Sequence, residues 1–264
     1  MNAEQLFAHI WNDYIQITPS AHKIQQLLGQ GRSIQNDHIA LRTFNSPEVG
    51  LSSLSQHFEA LGYREGGDYF FEKKKLSAKH FQHPDPNLPK VFISELLLER
   101  CSEKLQHCVR DFLASMPNDA MHQANFLYSG RHWPIRWSTY TELLQESEYA
   151  AWVYVWGFRA NHFTVSVNAL ADCHTLQAVN QQLTQAGFVL NESGGTIKGS
   201  SAVGLEQSST IADQIKVQFE EKEEQVPSCF YEFALRHPKG DEPLYQGFVT
   251  ESADKIFEST NRRS

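Results

Sequence analysis

Long apolar runs are missing from this sequence. No stretch approaches the roughly 20 residues that a membrane-spanning helix requires, so the membrane is not an expected partner. The N-terminus, MNAEQLFAHIWNDY, lacks the basic start and apolar core of a secretory leader, and the expected compartment is the cytoplasm. Cysteine is sparse. Cys101, Cys108, Cys173 and Cys229 are scattered with no CxxC spacing, which excludes a redox motif and fits reduced thiols. Positive charge is in deficit, with a formal net charge of -8, and this disfavours a general nucleic-acid binder because phosphates need a basic surface. What is present is an ordinary globular composition, 41% hydrophobic and 20% charged, with 264 residues and 12 histidines that need sorting.

Periodicity predicts two leading helices over residues 3–16 and 20–28, the second closed by Gly29 or Gly31. A unit then occurs twice. The first copy opens with the strand DHIALRTF, continues as a helix over about 47–61 and closes with Gly62-Tyr63. Strands are expected near 68–72 and 91–99. The second copy opens with NHFTVSVN and continues as a helix from Asp172, read as its N-cap, to Ala186. It closes with Gly187-Phe188. Strands are expected near 188–191, 196–199, 203–207, 213–220 and 229–236. From His38 to Gly62 is 24 residues, and from His162 to Gly187 is 25. From His38 to Glu95 is 57 and from His162 to Glu232 is 70, which leaves room for a longer hairpin in the second copy.

Duplication of a βαβββ unit is the economical explanation. The expected fold is α+β, two βαβββ modules curled into one incomplete barrel. Within a single domain over 1–264, residues 1–36 read as a helical lead-in and 37–99 as the first module. Residues 100–160 read as a helical insertion that packs over the barrel and roofs the cavity. Residues 161–240 read as the second module and 241–264 as a tail.

Strand alternation assigns the faces. In the first strand Ile39, Leu41 and Thr43 point one way, and His38, Ala40 and Arg42 the other. In the second, His162, Thr164, Ser166 and Asn168 oppose Phe163, Val165 and Val167. In CFYEFALRH, Glu232 shares a face with Ala234 and Arg236, opposite Tyr231, Phe233 and Leu235. A lone carboxylate in an aromatic strand is costly to bury unless paired or bound to a cation. His38, His162 and Glu232 together supply two imidazoles and one carboxylate, the ligand set of non-haem iron(II) oxygenases. Zinc also accepts this set. Glu95 in VFISELLLE is the rival carboxylate, read as the symmetry mate of Glu232; Glu232 is preferred because aromatic residues bracket it. Arg42 lies about 13 Å beyond His38 on the same face, at roughly 3.3 Å per residue. It suits a substrate carboxylate as well as an ion pair with Glu95 or a surface acid. His80 and His83, in KHFQHPDPNLP, are a secondary metal candidate on an expected loop. The other histidines read as structural, with His132 and His237 near the expected cavity rim.

At DHIALRTF, ANHFTVSVN and CFYEFALRH the chain resembles the 2-oxoadipate dioxygenase/decarboxylase family of the vicinal oxygen chelate superfamily. LSAKHF, LPKVFISEL and LYQGFVTESADKIFEST extend the resemblance through nearly the whole chain. The resemblance implies Fe(II), with Zn, Ni or Mn as substitutes after purification, held at His38, His162 and Glu232. It implies that Arg42 binds the substrate carboxylate. The implied reaction takes 2-oxoadipate and O2 to 2-hydroxyglutarate and CO2, in lysine breakdown. A glyoxalase-like lyase or hydrolase, and a non-enzymatic ligand-binding protein, are the competing readings.

Overall fold

The structure is a computed structural model that describes residues 1–260. An antiparallel pair of strands forms its centre: β1 (Asn36–Phe44) runs against β5 (Ala160–Ser166). On the β1 side lie, in order outward, β4 (Lys90–Leu96), β3 (Leu76–Gln82) and β2 (Arg64–Phe71). On the β5 side lie β10 (Phe230–Arg236), β7 (Leu205–Ser209) and β6 (Lys198–Ser200). Each half repeats one pattern. The first strand pairs in parallel with the last of its half, and the outer pairings are antiparallel. One eight-stranded, curled mixed sheet results.

The additional length of the second half is the hairpin β8 (Gln214–Gln218) and β9 (Glu223–Pro227), which forms its own two-stranded sheet. The expected strand at 188–191 is reduced to a single bridge between Leu190 and Thr210.

Helices cover the outer face. The helix α1 (Ala3–Ile17) opens with a capping box in which Asn2 and Gln5 bond each other's backbone. Its Trp11 and Tyr14 pack on Phe163 of β5 and Tyr231 of β10, the face that alternation assigned to the core. The helix α2 (Pro19–Gly29) follows at once, with Pro19 in its first turn, where the missing N–H is harmless.

The helix α3 (Leu51–Glu59) is shorter than the expected 47–61, because Ser46–Gly50 forms a turn closed by bonds from Val49 and Gly50 to the Ser46 carbonyl. The helix α7 (Leu176–Gln185) starts later than expected. Its N-cap is Thr175, whose hydroxyl accepts from Ala178 N–H, and not Asp172.

Between the halves lie α4 (Glu103–Leu113), α5 (Trp137–Glu146) and α6 (Glu148–Trp156). The helical insertion breaks between α5 and α6 at Ser147, which caps α6 through its hydroxyl. Every residue of α6 from Tyr149 on is buried, the mark of a helix enclosed on all sides. It lies beside β1 where that strand outruns β5: the Tyr149 hydroxyl accepts from Thr43 N–H at 3.0 Å. The C-terminal helix α8 (Thr250–Ile256) packs across β2, β6 and β7. Among the described residues no helix is long and apolar enough to cross a membrane.

Candidate metal centre

Three strands bring their polar-face residues to one point. His38 comes from β1, His162 from β5 and Glu232 from β10, and all three are buried. One ligand atom from each lies within 4.8 Å of the others. His38 Nε2 is 3.5 Å from Glu232 Oε1, and His162 Nε2 is 3.2 Å from Glu232 Oε2. Ligand atoms held about 2.1 Å from one ion at right to tetrahedral angles lie about 3.0–3.4 Å apart. Each histidine thus stands from a Glu232 oxygen at close to the spacing of neighbouring corners of a coordination shell.

The far side of each imidazole decides what its near side offers. His38 Nδ1 lies 2.8 Å from Asp37 Oδ1, and a carboxylate can only accept, so the proton sits on Nδ1. His162 Nδ1 is 3.1 Å from Asn161 Oδ1, which fixes the same tautomer. Both Nε2 atoms therefore turn lone pairs toward the Glu232 carboxylate. Two lone pairs facing an anion in a dry interior repel unless a cation lies between them.

Glu232 Oε1 accepts from Gln207 Nε2 at 2.7 Å, whereas its buried Oε2 has no hydrogen-bond partner. The Thr164 hydroxyl approaches His38 Nε2 at 3.0 Å. This donor set fits a divalent metal.

Charge is balanced in layers. Burial works to raise the Glu232 pKa, but positive charge at the His38 and His162 positions, with the Gln207 hydrogen bond, outweighs it and holds the carboxyl below its usual range. Burial lowers the pKa of His162 and keeps it neutral, as a ligand must be. Burial would also raise Asp37. The Arg236 guanidinium, bonded to both carboxylate oxygens at 2.6 and 2.9 Å, and His38 hold it far below instead. Aromatic rings close the chamber. Phe230 lies 4.6 Å from the His162 ring, and Phe248, from the segment before α8, meets the His38 ring edge-on at 4.8 Å.

Arg42 is 1% exposed, which is rare for a cation. Tyr149 and Trp152 of α6 and Phe257 after α8 surround its guanidinium at 5.1, 5.1 and 5.6 Å from their ring centres. Nη2 donates to the Thr260 hydroxyl at 3.0 Å. Nε and Nη1 are buried without hydrogen-bond partners, and the Glu148 carboxylate stands 3.6 Å from Nη1. The roof is thus shared between the insertion and the C-terminal segment.

The expected symmetry of Glu95 with Glu232 does not hold. His38 pairs with Lys90 and His162 with Phe230, so two residues on, Phe92 holds the place of Glu232. Glu95 lies three residues further, on the opposite face. There its carboxylate accepts from Leu51 N–H at 2.8 Å in the first turn of α3. It makes neither the metal cluster nor an ion pair with Arg42. His80 is not in a loop: it is buried in β3, with the Tyr69 hydroxyl 2.8 Å from its Nδ1. His83 does lie in the following loop. His132 packs on Phe126, and His237 pairs with Glu206 at 2.9 Å. Sequence reasoning did not give roles to Asp37, Asn161 and Gln207. The [DN]-H pair that opens both first strands was the available signal for the first two.

Two pseudo-symmetric βαβββ halves around a buried His-His-Glu cluster define a two-module α+β fold with one candidate metal site. Within that class the chain belongs to the 2-oxoadipate dioxygenase/decarboxylase family, whose model matches residues 2–125 and 117–239. It is similar to the chloroplastic 2-oxoadipate dioxygenase/decarboxylase of Arabidopsis thaliana, at 34% identity over 94% of this chain and 74% of that protein. The hydroxyglutarate synthase of Oryza sativa, solved in complex with 2-oxoadipate, superposes with a TM-score of 0.90 at 32% identity, covering 97% of this chain and 91% of that one. A protein of Shewanella frigidimarina termed a hydrolase superposes with a TM-score of 0.92 at 56% identity, over 94% and 98% of the two chains.

Proposed function

We propose that this protein is an Fe(II)-dependent dioxygenase that converts 2-oxoadipate and O2 to 2-hydroxyglutarate and CO2. The observation that carries the reading is the pair of imidazoles turned by their Nδ1 partners, with Glu232, toward one buried point, on the same strand face as a buried arginine whose Nε and Nη1 have no hydrogen-bond partner. Family membership and the 2-oxoadipate complex of the rice relative support the substrate.

In this reading His38, His162 and Glu232 would hold the iron. When bound, iron supplies the redox chemistry that activates O2. The chain's own residues do the rest. Asp37 and Asn161 keep the two imidazoles in the ligating tautomer. Gln207 fixes the carboxylate rotamer through Oε1, which leaves Oε2 free. Arg42 grips the distal carboxylate through its guanidinium and so sets the chain length of the acid accepted. Phe230 and Phe248 exclude water, which protects the reaction from side hydrolysis. Residues 37–99 and 161–240 act as the two modules, each contributing one histidine.

The test is metal analysis of protein purified without oxygen, for the native sequence and for Glu232→Ala. One equivalent of iron in the first and none in the second is the expected result. Full metal occupancy in Glu232→Ala would overturn the ligand set.

A further inference from the structure

We propose that the lysine-rimmed cleft beside α6 is the port through which the anionic substrate enters. This rests on the function proposed above. The cleft has a volume of about 190 Å³, and its walls include Glu148, Tyr149 and Phe257, the same three residues that stand around the Arg42 guanidinium. Lys73, Lys74 and Lys75 form its rim. The cleft therefore opens on one side to solvent and abuts the Arg42 cage on the other.

The rim is built by a tight turn. Residues Glu72–Lys74 form one short helical turn, which Lys75 ends in the left-handed region at a φ of 55°. A non-glycine residue there is uncommon, and the turn projects three consecutive lysines at one edge. Their countercharges are loose: Lys74 lies 4.0 Å from Asp254 and Lys75 3.4 Å from Glu146, all partly exposed, while Lys73 is exposed. Glu146 and Glu148 also line the cleft, so its walls hold three lysines against two carboxylates, a small positive excess on a chain of net charge -8. A local excess of this sign raises the concentration of an anion at the rim.

A larger cleft, about 450 Å³, opens at the other end of β1. It ends on Arg236, whose nitrogens are all occupied by Asp37 and by the Tyr245 and Gly247 carbonyls. Arg42 by contrast has no hydrogen-bond partner at Nε or Nη1, with the Glu148 carboxylate 3.6 Å from Nη1. A dicarboxylate that enters past the lysines sends its 2-oxo end toward the cluster, and Arg42 captures its trailing carboxylate.

The test is the association rate of 2-oxoadipate under anaerobic conditions, read by stopped-flow tryptophan fluorescence, since Trp152 lies against Arg42. Lys73→Gln/Lys74→Gln removes two charges at exposed or half-exposed positions. It should slow association about tenfold at low salt and flatten its salt dependence, with dissociation unchanged. Gln35→Glu/Gln246→Glu changes the charge of the other cleft by the same amount and should leave the rate as it is. Equal rates in the lysine variant and the parent, slowing by the glutamine pair instead, or no binding by the parent would overturn the port. Binding as expected with no O2 uptake on aerobic mixing would leave the port standing and overturn the proposed function.

Discussion

At the residue scale, the site depends on which atoms are left without partners. Glu232 Oε2, Arg42 Nε and Arg42 Nη1 are buried and unbonded, and buried polar atoms normally find partners. Each keeps capacity for a ligand atom, even with Glu148 3.6 Å from Nη1 and His162 Nε2 3.2 Å from Oε2. Arg42→Lys keeps the charge but loses the planar fork. It should retain iron while kcat/KM for 2-oxoadipate falls roughly 30-fold or more, from a loss of about 2–5 kcal/mol; a 2-oxo acid with an apolar tail should lose little. An equal loss on both substrates would mean that Arg42 only supports the fold.

Glu95→Ala should leave the metal in place and cost about 1 kcal/mol, because it removes an acceptor at the start of α3. Chemical denaturation and metal analysis of the same sample check both halves of that statement. Alternation alone placed His38, His162, Glu232 and Arg42 on one face, since every strand residue either faces the helices or the chamber. It failed for Glu95 because the mate of Glu232 was sought by residue type. Strand register, which sequence spacing does not reveal, gives Phe92 instead.

At the scale of elements, most helices and strands were legible because their apolar residues recur with the helical or strand period. The exceptions have physical reasons. β3 carries Lys79 and His80 beside a proline-rich turn and reads as loop. Yet His80 is a core residue, wedged so closely against Gly66 that a Cβ there would meet its ring at 2.2 Å. AWVYVW gives no periodic signal because α6 is buried on all sides.

His80 makes a prediction in pH. Burial first, then the nearby Arg236 and Lys90 charges, lower its pKa to about 4. The unfolded chain binds the proton more tightly. The His80 contribution is thus fully present above about pH 6.5 and is lost as pH falls toward 4, up to about 3 kcal/mol. Asp37, with its pKa held far below normal, adds a further loss below about pH 4. Urea titrations from pH 7 to 4 should show a slope that His80→Gln reduces by about one proton, or about 1.4 kcal/mol per pH unit. An unchanged slope would contradict the assignment. In α6, Ser147→Ala removes the hydroxyl that accepts from Ala150 and should cost about 1 kcal/mol.

At the scale of the whole molecule, the two halves meet at β1 and β5, and that meeting makes the site. One imidazole comes from each half, the carboxylate from the second, and the lid from the insertion and the C-terminal segment together. The duplication was readable from equal spacings, and the hairpin β8–β9 accounts for the longer second copy. The C-terminal contribution was not readable: Phe248, Phe257 and Thr260 reach the site from far along the chain, and no local pattern announces a contact of that kind.

Oxidative chemistry on a 2-oxo dicarboxylate competes with lyase or hydrolase chemistry on the same scaffold. The most direct measurement is O2 uptake by the anaerobically iron-loaded protein on addition of 2-oxoadipate, with CO2 and product followed in the same vessel. The account predicts one O2 consumed and one CO2 and one 2-hydroxyglutarate formed per 2-oxoadipate, with no turnover for the zinc-loaded protein. Turnover without O2 consumption, or with zinc as effective as iron, would contradict it.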